Sequence, residues 1–281
     1  AYIVKRENAS PVLIEIHGGG WRRGRKSSFS SYPEGLMERL FDEGITVVSI
    51  NYRMIPKHPF PATEHDVVRA VQFVRSRAEE WNIEPACIAA MGGSAGAHLS
   101  LWVGLHDDFA RPDATDAIAR QSSRLTCIVD FAGPVDMTRF DPQTMRRMGA
   151  RGEDMSEIFP AKFGYDLTRP KDQQDRAVLE AMKQCSPINF VSADDPPVFV
   201  SHQAPRRIDG ANHPPVPATI NDPHSYWHGI LLADALDKAG VTVHRHIGPD
   251  VGRGRSDTAR VAGFIIDHLC EKAETDSLQL K

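Results

Sequence analysis

The sequence predicts an α/β fold: a mostly parallel, twisted sheet with helices on both faces. Three observations point there. Short β-branched runs alternate with longer segments along most of the chain. The longer segments carry apolar residues at helical spacing. A glycine-rich turn, GGSAG at 92–96, joins one strand-like run to a run of good helix formers.

The strands are expected at PVLIEIHG (11–18), ITVVSINYR (45–53), ACIAAMGG (86–93), LTCIVDFAG (125–133), PPVFVSHQ (196–203) and VTVHRHI (241–247). HDVVRAVQFVRSRAEEW (65–81) reads as a helix, with Val67, Ala70, Val71 and Val74 on one face. The last helix places Val261, Phe264, Ile265, His268 and Leu269 together. Residues 134–195 break the alternation. They are polar and partly helical, with QQDRAVLEAMKQC (173–185) one expected helix, and an insertion between two strands can roof a site. Residues 204–221 are rich in Pro and Gly and read as an irregular loop. The whole, 1–281, is expected to be one domain with a small cap inserted at 137–185 and a loop inserted at 204–221.

Composition narrows the classes. The 281 residues suffice for one large core, and 41% hydrophobic with 25% charged is ordinary for a soluble globular chain. A net charge of −4 and the lack of a long basic stripe speak against a general nucleic-acid binder. No apolar run approaches the roughly 18 residues a membrane span needs. Cys87 and Cys127 sit in strand runs and are expected as buried free thiols; no C-x-x-C pair is present. No signal-peptide pattern is visible, and AYIVKRENASPVLIEIH opens mid-strand, consistent with a chain lacking upstream residues.

The chemistry concentrates in two motifs. GGSAGAH (92–98) follows a strand and opens a helix, the setting of a nucleophile elbow, so Ser94 is the candidate nucleophile. The helix N-terminus beneath it favours negative charge. HGGGW (17–21) ends an apolar strand about 75 residues earlier, and its glycines let backbone N–H groups approach an oxyanion. Gly19, Gly20 and Ala95 are the expected donors. Trp21 is a candidate substrate-binding residue.

With these motifs, SINYRMIPKHPFPATEHDVVRAVQFVR (49–75) and SPINFVSADDPPVFVSH (186–202) make the chain resemble α/β-hydrolases of the hormone-sensitive-lipase and feruloyl/acetyl esterase type. The likeness runs from residue 11 to about 202 and resumes near 222. It implies a carboxylesterase fold, a Ser–His–Asp triad, and neither cofactor nor metal.

Two departures follow. Such proteins carry their acid in H-G-x-x-D, yet here the strand ends SHQAPRR. Asp222, 18 residues before Gly240, matches the resumed pattern and is the expected acid, with Asp209 the second choice. Their histidine stands in G-x-G-H-G, which falls on Asp250 to Gly254 and puts Arg253 in its place. No histidine occurs from Ile247 to Asp267, and a guanidinium cannot accept a proton at neutral pH.

Among the other histidines, His268 faces the core, His244 and His246 lie short of the strand end, His98 is inside the helix after Ser94, and His17 and His202 match loop-shaping positions. His213 and His224 remain, either of which could equally be an idle surface residue. His224, two residues from Asp222, is the preferred relocated base. The leading expectation is hydrolysis of a small-molecule short-acyl ester, such as a carbohydrate-linked acetate or aromatic acyl group. The alternative is an inactive hydrolase-fold protein in which Arg253 and the oxyanion amides bind an anionic ligand, a carboxylate or sulfate.

Overall fold

Strand β1 (Ser10–Ile16) lies between β2 (Thr46–Ile50) and β3 (Ile83–Gly93), and β4 (Ile128–Phe131), β5 (Val198–Gln203) and β6 (Val243–Gly248) follow β3 outward. Every pairing is parallel. The computed structural model describes residues 3, 7–27, 33–142, 157–206, 208, 213–251 and the backbone of 255–279, with α8 side chains from Asp257 to Leu269. Each strand coincides with one of the six β-branched runs. All seven residues of β1 are buried, because helices cover both sides of a central parallel strand.

The two faces hold separate cores. Val12, Ile14 and Ile16 of β1 pack with α2 (Ala62–Ser76), α4 (Ala95–Leu105) and α7 (Tyr226–Ala239). Leu13 faces the other way, toward α1 (Leu36–Asp42) and α8 (Arg255–Gln279). The helix expected at 65–81 is split: α2 ends at Ser76, and a four-residue α3 (Ala78–Trp81) follows. Its buried stripe is nonetheless the expected one, Val67, Val71 and Val74, with Ala70 at the edge. In α8, Val261, Phe264, Ile265 and Leu269 are buried, as their spacing requires.

Every residue of α4 is buried, which suits a helix apolar on all sides. Between β4 and β5 the chain forms a 3-10 turn at Met137–Arg139, α5 (Ile158–Phe163) and α6 (Arg176–Gln184). Phe140, Phe159 and Met182 from this segment join the α4 core, and Trp102 Nε1 donates to Gln184 O at 2.9 Å. Cys87, Cys127 and Cys185 are buried free thiols. Among the described residues, no helix is long and apolar enough to cross a membrane.

One polar cluster interrupts this core. Lys162 of α5 donates to Glu64 of α2 at 2.6 Å, both side chains fully buried. The ammonium lies 4.7 Å from the centroid of the Trp21 ring and 5.9 Å from those of Phe60 and Phe163. Burial pushes the Glu64 carboxyl up, but the Lys162 ammonium beside it outweighs this and holds the carboxyl below its ordinary value. Burial likewise opposes the ammonium, and the Glu64 carboxylate helps to outweigh it. Both groups therefore stay charged. Lys162→Met strands an unpaired buried carboxylate and is expected to destabilise the fold by about 3–5 kcal/mol. Glu64→Gln/Lys162→Met, which leaves no charge behind, should recover most of that loss. Urea unfolding midpoints measure both, and a single variant as stable as the unsubstituted protein would refute the pairing.

Candidate active site

The elbow is built by close approach of backbones. Ser94 follows β3 and caps α4, with φ 55° and ψ −118°, a conformation rarely held by a residue with a side chain. It is held on both sides: Ser94 N–H donates to Phe131 O at 2.9 Å, and Ser94 O accepts from His98 N–H at 3.0 Å. Gly96 lies so near β1 that a Cβ there would stand 1.9 Å from Ile16 O. The glycine is thus a requirement of packing between α4 and the sheet.

The HGGGW turn lies beside this elbow. Gly19 and Gly20 have φ of 111° and 61°, and Gly19 O accepts from Arg22 and Arg23 N–H at 3.1 and 3.2 Å. Tyr52 braces the turn from below, stacking on His17 at 4.3 Å and donating its hydroxyl to His17 O at 2.8 Å. The N–H groups of Gly19, Gly20 and Ala95 meet no acceptor among the described residues, so they remain available to a ligand.

The imidazole that reaches the serine is that of His224, whose Nε2 stands 2.7 Å from Ser94 Oγ. It comes from the loop before α7, where Ser225 caps the helix by accepting from Trp227 N–H. Although His224 keeps an exposed face, the protein around its ring pulls its pKa below the ordinary value. Asp222 opposes that shift, and His202 adds to it.

Asp222, the expected acid, stands beside His224. Its carboxylate accepts the backbone N–H of His224 at 2.9 Å, closing a local turn, rather than the ring N–H. A spacing of two residues brings carboxylate and following amide together more readily than carboxylate and ring. Nδ1 of His224 has no hydrogen-bond partner among the described residues. Asp209, the second choice, and Arg253 lie outside them.

Several other histidines are engaged elsewhere. His213 pairs with Asp234 of α7 at 3.4 Å, and His246 with Asp257 of α8 at 2.8 Å. His244 and His268 pack with Phe264. His202 Nε2 contacts Asp130 Oδ2 at 3.0 Å in full burial, joining β5 to β4 behind the site. Nothing in the neighbouring residues marks that carboxylate, which stands in an apolar strand run. Burial holds His98 down to about 4 and His228 well below its ordinary value, so both are neutral.

Trp21, the candidate substrate-binding residue, is buried: its indole is 4% exposed, with the Lys162 ammonium over the ring and His98 packed against it at 5.1 Å. Glu64, His98 and Cys185 bring ligand-type atoms within 4.8 Å of one another. The ammonium of Lys162, bonded to Glu64, already fills the cationic role in that cluster.

The BD-FAE family model matches residues 2–206. The chain is similar to the probable carboxylic ester hydrolase LipM of Mycobacterium tuberculosis (strain ATCC 25618 / H37Rv), at 33% identity over 195 residues, 69% of this chain and 40% of that protein. It thus spans about two fifths of the length of the curated relatives it matches. The acetyl ester-xyloside bifunctional hydrolase of Caldicellulosiruptor lactoaceticus superposes with a TM-score of 0.66 at 26% identity, covering 98% of this chain and 86% of that one. A carbohydrate esterase from gut microbiota shares the fold, with a TM-score of 0.68 at 23% identity over 95% of this chain and 88% of that one. The chain belongs to the BD-FAE family of α/β-hydrolases.

Proposed function

We propose that the protein is a serine carboxylesterase acting on short acyl esters, with Ser94 as nucleophile and His224 as a relocated base. The observation that carries this reading is the 2.7 Å contact between His224 Nε2 and Ser94 Oγ. In the first step Nε2 takes the serine proton as Oγ attacks the acyl carbonyl. The resulting oxyanion is received by the N–H groups of Gly19, Gly20 and Ala95. The imidazolium then protonates the departing alkoxide, leaving an acyl-serine. Water, deprotonated by the same imidazole, releases the acid and restores the serine. A general base must be neutral at the working pH, and the depressed pKa of His224 keeps it so.

Asp222 supports the base in two ways: it fixes the turn that carries His224, and its charge favours the imidazolium. Reading the inserted segment as a cap is supported by Phe140, Phe159 and Met182, which join the core of the helix that begins at Ser94. A carbohydrate-linked acetate or a similar small acyl ester is the substrate class favoured, because the similar proteins of known structure include an acetyl ester-xyloside hydrolase and a carbohydrate esterase. An imidazole within reach of Ser94 favours this reading over the alternative, an inactive anion-binding protein.

Two expectations follow. Ser94→Ala and His224→Ala should each lower p-nitrophenyl acetate turnover by about 10⁴-fold or more without unfolding the chain, since nucleophile and base act as a unit. Turnover retained in either would overturn that residue's role. The acid limb of kcat/KM should have its midpoint below 6.5, the ordinary histidine value, because His224 is inactive only when protonated. Asp222→Asn removes a group that raises this pKa, so the limb should move to still lower pH as the maximal rate falls. A limb that stays in place would show that Asp222 does not act on the base.

A further inference from the structure

The Glu64–Lys162 pair takes no part in the proposed proton transfers, yet it touches the turn that carries two of the oxyanion donors. Trp21 follows Gly19 and Gly20 directly. Its backbone is left-handed, with φ 58°, which a residue with a side chain keeps only when its surroundings hold it. One hold is on the main chain, where Trp21 O accepts from Ile55 N–H at 3.1 Å. The other is on the indole. The Lys162 ammonium stands 4.7 Å from the ring centroid. His98, one turn after Ser94 in α4, meets the ring edge-on at 5.1 Å and 88°. The indole is therefore clamped between the inserted segment and the helix that begins at the nucleophile. Oxyanion donors work because they are in place before charge develops, and three successive glycines cannot hold themselves in place.

We propose that Lys162 is a positioning residue of the oxyanion hole: anchored by Glu64, its ammonium presses on the Trp21 indole and fixes the turn that presents Gly19 and Gly20. A cation over an aromatic face attracts more strongly when both are withdrawn from water, as here. The segment between β4 and β5 thereby joins the machinery of transition-state binding. The inference rests on the reading of Ser94 as the nucleophile of an ester hydrolase.

The test uses the full chain and three variants. Glu64→Gln/Lys162→Met removes the cation without leaving a buried charge. It should lower kcat for p-nitrophenyl acetate at least tenfold while KM stays within threefold, since the donors engage the transition state more than the bound ester. Trp21→Leu keeps the ion pair but removes the face beneath it, and should give the same split; it carries the test if the double variant does not fold. Lys162→Arg retains the cation and should keep kcat within threefold. A folded double variant or Trp21→Leu protein with kcat within twofold of the unsubstituted chain overturns the proposal, as does a KM that rises in step with the fall in kcat. Hydrogen exchange in the peptide spanning residues 17–27 should quicken in both, even in a chain that hydrolyses nothing. Unchanged exchange sinks the positioning role alone, whereas a lack of any ester turnover in the unsubstituted protein sinks the hydrolase reading alone.

Discussion

A serine forced into a left-handed backbone between a strand and a helix is the constraint on which the rest depends. Ser94 can hold φ 55° only because the sheet grips it through Phe131 and α4 grips it through His98. That grip requires α4 to lie almost against β1, which in turn requires Gly96 where any side chain would collide with Ile16 O. The wholly buried character of α4 follows, since a helix pressed between sheet, α2 and the inserted segment has no side left for water. The local strain is sustained by close packing of α4 against the sheet.

The contact between His224 and Ser94 illustrates what the proposed chemistry demands. Proton transfer requires an imidazole nitrogen at hydrogen-bond distance, with the correct lone pair directed at the hydroxyl; it sets no condition on where in the chain the imidazole originates. The family match ends at residue 206, just where the loop after β5 departs from the usual pattern. Beyond it, Asp222 and Ser225 shape a short turn before α7 that delivers His224 to Ser94. His202, held by Asp130 and lying against Gly229 of α7, ties that helix to the sheet.

Much of this could be read from residues alone, for physical reasons. Strand runs and the stripe on α2 are local patterns, and burial followed them. The elbow and the glycine turn were legible because few residue types tolerate those geometries. What escaped was non-local. Lys162 and Glu64 stand 98 residues apart, and nothing in either neighbourhood marks the other as partner. Asp130 reads as an intrusion in a strand until His202 is seen beside it. The turn by which Asp222 holds the backbone of His224 was also hidden, because residue type alone does not say which group a carboxylate two residues upstream will meet.

The neutral histidines packed behind the site have a consequence for the environment the fold tolerates. His98 stays uncharged in the folded chain down to about pH 4, and His228 is also held well below 6.5, whereas both would take up protons near 6.5 once unfolded. The unfolded state therefore binds more protons across that interval, and stability declines as the solution is acidified below about 6.5. Protonation of His224 begins in the same range. Mild acid would thus charge the imidazole that faces Ser94 and loosen the core packed behind it.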